Sequence, residues 1–127
     1  MKIKNILVTA IATLAFVPAL GNTTQAATWY HGTPKIFWGK WKSPYPPMHT
    51  TWKMSIGRTY VHNGLSDPDF YNHAKYKYLG HHVYKVYGEN PFYHSYGAIY
   101  LKWYNHNKIG TNYPHTPAKY TTIYHRY

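Results

Sequence analysis

The feature that most limits what this chain can fold into is a series of short runs rich in Tyr, Trp, Val, Ile and Thr, each bounded by Gly, Pro, Asn or Asp. Such runs are typical of β-strands separated by turns, and no window shows the 3.6-residue apolar spacing of a packed helix. So many short strands in one small domain must curl or close to protect their edges. We therefore predict an all-β fold, a small closed or partly open antiparallel barrel, with a curled β-sandwich as the alternative. The predicted strands are residues 38–43, 50–56, 58–62, 75–79, 82–87, 96–104 and 119–126.

Local signals add detail to this outline. The clearest hairpin covers residues 75–87 and turns around Gly80-His81. Segments 63–69 and 105–117 are predicted as loops, because Asn, Gly, Asp and Pro cluster in them. Thr33-Pro34 predicts the start of a short helical turn, with the threonine as its cap and the proline at the first helical position.

The first 26 residues have the pattern of an export signal. Two lysines precede a mostly apolar run over residues 6–20, and small residues around Ala26 form a cleavage site. The run is shorter than the ~20 residues needed to cross a bilayer, so we expect no membrane span. We predict a signal peptide at residues 1–26 and a single secreted β domain at residues 27–127.

Cysteine is absent from the chain. Small secreted domains from strongly oxidising compartments usually carry disulfides, so a disulfide-free domain of this size favours a Gram-positive bacterium. Without cysteine there is also no lipobox, and the C-terminal residues 124–127 show no apolar tail. We expect a monomer that is extracellular, either released or held at the cell wall without a covalent bond.

The charge balance is strongly positive. The chain has 14 Lys and Arg residues and three acidic residues, for a formal net charge of +11. Loss of residues 1–26 removes two lysines and no acid, which lowers that charge by two, to +9. Such a charge attracts anionic polymers, and Tyr and Trp rings stack on sugars. We expect non-catalytic binding of an anionic polymer or glycan at the bacterial cell envelope, although positive charge can also serve solubility alone.

The expected binding residues centre on the predicted hairpin. If its two arms pair, Lys75 and Lys77 share a face with Lys85 and form a basic stripe. We expect basic residues to supply charge and aromatic residues to supply stacking faces: Arg58, Lys75, Lys77 and Lys85, with Tyr76, Tyr84 and Trp103.

Ten histidines are an unusual number for this length. Their protonation in an acidified medium would raise the net charge, so we expect binding to strengthen as the pH falls toward about 5. Adjacent His81 and His82 would point to opposite faces of a strand, and no His-x-x-x-His on a helix and no His-x-Glu spacing occurs. We expect no metal site and no cofactor.

Enzyme chemistry lacks its usual parts. There is no cysteine nucleophile and no Gly-x-Ser-x-Gly elbow. Paired-carboxylate chemistry would need Glu89 to meet Asp67 or Asp69 across a cleft. We therefore expect no catalytic activity. Nucleic acid would suit the charge but is an unlikely partner for an exported protein. A cationic antibacterial role stays open, although no amphipathic helix supports it.

The triplet Gly39-Lys40-Trp41, preceded by a short helical turn, resembles the opening of lipocalin-type barrels. In that family the tryptophan seals one end of the barrel, and an arginine near the end of the last strand packs across it. The resemblance implies a structural core that contains Trp38, Gly39 and Trp41, with Arg126 as the arginine. It also implies an alternative function, a barrel that carries a small apolar ligand.

A second resemblance covers more of the chain. Residues 27–35, 38–41 and 75–82 resemble segments of small secreted proteins of lactobacilli and related Gram-positive bacteria. This resemblance implies a location and a domain size rather than an activity.

Overall fold

The computed structural model describes residues 28–45, 50–64 and 69–127. The predicted signal peptide at 1–26 and the side chain of Asp67 lie outside these residues. The all-β prediction is confirmed. The described strands are β1 (Tyr30–His31), β2 (Gly39–Tyr45), β3 (Thr50–Gly57), β4 (Tyr60–Asn63), β5 (Asp69–Gly80), β6 (Val83–Asn90), β7 (Ser95–Asn105), β8 (Lys108–Asn112) and β9 (Thr122–Arg126). Two short 3₁₀ turns, Lys35–Phe37 and Ala118–Tyr120, complete the described elements. In this part of the chain no helix has the length and apolar character needed to cross a bilayer.

The strands form a closed barrel by the simplest possible route. From β2 to β8, each strand pairs antiparallel with the next one along the chain. The last strand, β9, pairs with both β8 and β2 and closes the ring. The ninth strand, β1, adds a two-residue ladder to β5. Closure leaves the eight barrel strands with partners on both sides, so the predicted barrel is confirmed and the alternative, a curled sandwich, is not.

The barrel interior is filled by the alternate residues of each strand. The buried apolar side chains are Phe37, Trp41, Met54, Ile56, Val61, Tyr71, Ala74, Val86, Ile99, Leu101, Ile109 and Tyr124. Their outward neighbours are mostly lysine, tyrosine and histidine, as the two-residue period of a strand requires. Trp38 is half-buried and packs against this core, whereas Trp41 is completely buried within it.

One end of the barrel, which we call the Trp41 end, is sealed by the first 3₁₀ turn. The indole nitrogen of Trp41 donates a hydrogen bond to the carbonyl of Phe37 in that turn, at 2.8 Å. Arg126, the last residue of β9, lies over the Trp41 ring, with its guanidinium carbon 4.1 Å from the ring centroid. The packing that the Gly-x-Trp resemblance implies between these two residues is therefore present.

Gly39 makes the approach of Arg126 possible. A Cβ atom at residue 39 would stand 2.5 Å from Nη1 of Arg126, and the backbone there has a φ of +135°. Both facts exclude a larger residue, because an L side chain rarely adopts that φ and the guanidinium occupies the space.

One predicted loop needs correction. Residues 108–112 within the predicted loop 105–117 form β8, with Ile109 and Thr111 buried on alternate positions. The Asn105 side chain accepts a hydrogen bond from the Asn107 backbone at 2.8 Å and stabilises the tight turn before that strand. The Asn and Gly residues that predicted a loop thus belong partly to a hairpin turn.

The strand predicted at residues 75–79 begins earlier, at Asp69. Its two-residue alternation is broken by a bulge: the register shifts between Asn72 and Lys75, and His73 has a φ of 51°. Tyr71 and Ala74 are consequently both buried although they are three positions apart. This interruption conceals the strand from a pattern search.

The predicted helix start is half right. The 3₁₀ turn is present, but Thr33 does not cap it and Pro34 precedes it instead of beginning it. The Thr33 hydroxyl donates to the Gly57 carbonyl at 2.5 Å and accepts from the Trp38 indole nitrogen at 2.8 Å. Thr33 therefore ties the entry segment to the turn after β3. The strand predicted at 119–126 similarly begins only at Thr122, after the second 3₁₀ turn.

Candidate functional site

The β5–β6 hairpin brings three lysines to one outer face of the barrel. Lys77 pairs directly with Lys85, and Lys75 pairs with Tyr87. Because residues opposite each other in an antiparallel pair project to the same side, the basic stripe predicted for this hairpin is formed. Three lysines on one face repel one another, so the arrangement needs a compensating interaction.

Trp29 supplies that interaction. The ammonium nitrogens of Lys75 and Lys77 lie 4.7 and 4.8 Å from the centroid of its ring. The face of an indole attracts cations, and the attraction offsets part of the repulsion between the two lysines. Trp29 is placed by β1, where His31 pairs with Lys75. We call Trp29, Lys75 and Lys77 the Trp29 clamp.

An aromatic surface continues from the clamp across the hairpin. The Trp29 and Tyr87 rings meet edge to face at 6.4 Å, and Tyr87 stacks on Tyr96 at 5.9 Å with 15° between the planes. Tyr96 is 67% exposed, so this surface is open to solvent. Glu89 pairs with Tyr96 at its border. The clamp, Lys85, Tyr87 and Tyr96 together form what we call the outer patch.

The predicted stacking residues Tyr76, Tyr84 and Trp103 are not part of this patch. Tyr84 and Trp103 pack edge to face on Phe37, at 5.4 and 5.7 Å, inside the Trp41 end of the barrel. Tyr76 contacts Tyr84 at 6.2 Å and also packs against the core. These rings are partly buried, because they project to the inner side of strands whose outer side carries the lysines. Their role as stacking residues stays a prediction.

Burial also affects the chemistry of these inner rings. It raises the pKa of Tyr84 to about 12, with smaller contributions from the neighbouring Tyr78 and Tyr76 hydroxyls. Burial likewise raises the pKa of Tyr76 above its ordinary value. Both phenols therefore keep their protons to a higher pH than an exposed tyrosine does.

Arg58 belongs to a different element from the other three basic residues. It occupies the turn between β3 and β4, where its carbonyl accepts a hydrogen bond from the Thr33 backbone at 2.9 Å. Its side chain is exposed, and the carbonyl of the next residue, Thr59, accepts a hydrogen bond from the backbone of Ala74, beside Lys75. Three of the four predicted basic residues therefore share the hairpin face, and Arg58 occupies a turn that borders β5.

Sequence reasoning missed Trp29, Tyr87 and Tyr96. The alternation of β6 contains a signal for Tyr87, since it stands two residues after Lys85 and must share its face. Tyr96 follows once β7 pairs with β6. Trp29 carries no such signal, because its position depends on a two-residue strand that pairs far along the chain.

A second group of polar residues lies away from the Trp41 end of the barrel, partly buried and partly open to solvent. The buried Tyr124 hydroxyl donates to the Asn63 side chain at 2.8 Å, and the Tyr113 hydroxyl donates to the Asp69 carboxylate at 2.5 Å. Burial raises the pKa of Tyr124 to about 12, partly offset by the bond to Asn63. Burial and then the Asp69 charge raise the pKa of Tyr71 well above its ordinary range. These groups satisfy one another.

Among residues 28–45, 50–64 and 69–127, no three His, Asp or Glu side chains come close enough together to hold an ion.

Comparisons with protein-family models, with curated proteins and with solved structures return no match to this chain.

Proposed function

We propose that this protein is a secreted, non-catalytic binder of anionic polymers or glycans at the bacterial cell envelope, and that the outer patch is its contact surface. The observation that carries the proposal is the Trp29 clamp, in which two ammonium groups lie less than 5 Å from one ring centroid. Lys85, opposite Lys77, adds a third charge beside them.

The lysines of the Trp29 clamp are preorganised for binding an anion. Two lysines that are already held near each other lose little side-chain freedom when a phosphate or carboxylate bridges them. The anion also relieves the repulsion that the ring only partly offsets. Tyr96 and Tyr87 then offer a ring surface beside the charges, suited to the sugar units of a charged glycan.

The location follows from the sequence argument. The pattern of residues 1–26 supports export, and the absence of cysteine supports a Gram-positive source. Outside such a cell the abundant anionic polymers are teichoic acids and acidic glycans, so these are the proposed partners.

The test is co-sedimentation of the purified protein with Gram-positive cell walls, intact or stripped of teichoic acids. We expect sedimentation with intact walls that weakens as salt rises, since several screened ion pairs carry the binding. We also expect it to strengthen between pH 7 and about 5, as histidines gain charge. Failure to sediment under every condition would contradict the proposal.

A second candidate function is a carrier of a small apolar ligand inside the barrel. The closed eight-stranded meander and the seal of Arg126 over Trp41 favour it, because eight strands are the number found in barrels that hold one small ligand. Buried side chains such as Phe37, Met54 and Tyr124 fill the interior, so a ligand would have to displace them. The salt dependence of binding distinguishes the two functions, because the affinity for a ligand in an apolar interior hardly changes with ionic strength. Binding of an apolar fluorescent dye that persists at high salt would favour the carrier.

A further inference from the structure

Basic residues continue from the outer patch around the barrel in register. On the side away from the hairpin, Lys108 of β8 pairs with His125 of β9, which pairs with Lys42 of β2. Lys42 in turn pairs directly with Lys53 of β3. Four neighbouring strands thus present a basic side chain at the same level of the outer surface.

Lys102 of β7 connects this row to the outer patch. Lys85 pairs with Tyr100 and Lys102 pairs with Gly110, so Lys102 stands diagonally between Lys85 and Lys108. Diagonal neighbours in a sheet lie about 7–8 Å apart, within reach of long side chains. The basic residues then form one path over seven of the eight barrel strands, which we call the basic track: Lys77, Lys85, Lys102, Lys108, His125, Lys42 and Lys53.

The arrangement of the Trp29 clamp occurs twice more along the track. The ammonium groups of Lys102 and Lys108 lie 5.3 and 5.0 Å from the centroid of Tyr104. Those of Lys42 and Lys53 lie 5.3 and 5.9 Å from the centroid of Tyr127. Each pair of lysines therefore shares one exposed ring, and the rings hold like charges close together.

No Asp or Glu side chain of the described residues occupies a position on the track. The acidic side chains of that part of the chain are Asp69, which accepts a hydrogen bond from Tyr113, and Glu89, which pairs with Tyr96. Neither stands at a track position. His125 pairs with Lys108 on one side and with Lys42 on the other, so it continues the row between the two lysines.

We infer that a linear polyanion lies along the basic track and wraps part of the way around the barrel, so that the protein selects long anionic chains over short ones. This inference rests on the proposed function and names the ligand's form. Adjacent strands are about 4.8 Å apart, and with two diagonal steps the track is about 35 Å long at the sheet surface. A chain shorter than this reaches one clamp, whereas a longer one engages all three.

The test compares tripolyphosphate with long-chain inorganic polyphosphate, each titrated into the purified full chain at fixed salt. The middle of the track is broken by the double variant Lys102→Gln, Lys108→Gln. Its control is Lys35→Gln, Lys119→Gln, which removes the same charge from two exposed lysines that lie outside the strands. The variant Lys102→Arg, Lys108→Arg keeps the charge and checks that substitution at these positions does not unfold the barrel.

We expect the broken track to lower the affinity for long chains by about tenfold or more while tripolyphosphate binding changes by less than about twofold, because separate clamps lose their combined effect. The control and the arginine variant should bind long chains within about twofold of the natural protein. Equal losses for the broken track and the control would overturn the track and leave the proposed function standing. Absence of binding to either phosphate would overturn both.

Discussion

The guanidinium of Arg126 covers the Trp41 ring and at the same time donates hydrogen bonds to three backbone carbonyls in two segments of the chain. Its Nη1 donates to the Trp38 carbonyl at 2.7 Å and its Nη2 to the Ile36 carbonyl at 3.2 Å. Its Nε donates to the His106 carbonyl at 2.7 Å. The last strand is thereby joined to the first 3₁₀ turn and to the turn between β7 and β8. This contact closes the Trp41 end.

Replacing Arg126 should therefore destabilise the whole barrel. For Arg126→Met we expect a loss of about 2–4 kcal/mol in the free energy of unfolding, because carbonyls lose charged donors and the indole loses its cation. Urea unfolding followed by tryptophan fluorescence measures it. Arg58→Met, at an exposed turn, is the control and should cost less than about 0.5 kcal/mol. Equal stability of the two variants would contradict the assigned role.

Substitutions in the turn between β5 and β6 should be able to raise the free energy of unfolding. His81 and His82 have φ values of 54° and 65°, and Gly80 pairs with Val83 around them. Positive φ at both central residues is the requirement of a type I′ hairpin turn, which Asn-Gly meets best. We expect the double variant His81→Asn, His82→Gly to raise the free energy of unfolding by about 0.5–1 kcal/mol. His82→Val should lower it, and a stabilising valine would refute the turn assignment.

The same observation explains part of the histidine content. Among the described residues, the five non-glycine positions with positive φ are all histidines: His73, His81, His82, His94 and His115. Histidine is one of the few residue types enriched in this backbone region. Half of the chain's ten histidines thus occupy turns or a bulge, where their backbone conformation is a structural reason for their presence.

Stability should fall in alkaline solution. Burial raises the pKa of both Tyr84 and Tyr124 to about 12 from the ordinary value of 10.0. The folded state keeps these protons while the unfolded state releases them, so the stabilisation is complete below pH 10 and is lost as the pH rises through about 12.

Titration of tyrosinate absorbance alongside circular dichroism checks this behaviour. We expect a late group of tyrosines to ionise together with unfolding. Tyr84→Phe should move that step to higher pH, whereas Tyr120→Phe, at a 62% exposed position, should not. Ionisation of all tyrosines in one gradual phase, with the fold intact, would rule out the buried phenols.

Two tryptophans should respond in opposite ways to truncation. Trp103→Ala removes a ring packed on Phe37 and should cost about 2–4 kcal/mol in stability, with binding by the folded protein unchanged. Trp29→Ala removes the ring between two lysines and should weaken anionic-polymer binding at a cost in stability below about 1 kcal/mol. Unfolding curves and wall-binding isotherms of both variants measure these effects. Weaker binding by Trp103→Ala together with unchanged binding by Trp29→Ala would instead identify the inner rings as the contact residues.

The fold was predictable where alternation is regular. Strand β6 keeps a strict two-residue period, with Val86 buried between outward residues, and its prediction needed little correction. Strand β5 contains the bulge at His73, and β8 contains Gly110, whose small size leaves room for the Tyr104 ring. In both cases tertiary pairing decides the structure of a segment whose composition indicates a loop.

The lysines of the candidate site could be predicted from the sequence, but its aromatic residues could not. Side chains alternate between the two faces of a β-strand, so Lys75 and Lys77 lie on the opposite face from Tyr76. Lys85 and Tyr84 lie on opposite faces for the same reason. The residue numbers therefore already separate the two groups, provided that both arms are extended. The role of Trp29 depends on a short pairing between distant segments, which no local pattern reports.

The central claim is that paired lysines at the Trp29 clamp, and not net charge alone, bind the anionic polymer. The most direct measurement compares Lys75→Gln, Lys77→Gln with the charge-matched Lys35→Gln, Lys119→Gln in binding to teichoic-acid-bearing cell walls at low salt. We predict a loss of about tenfold or more for the clamp variant and less than about twofold for its control. Equal losses in the two variants would contradict the account.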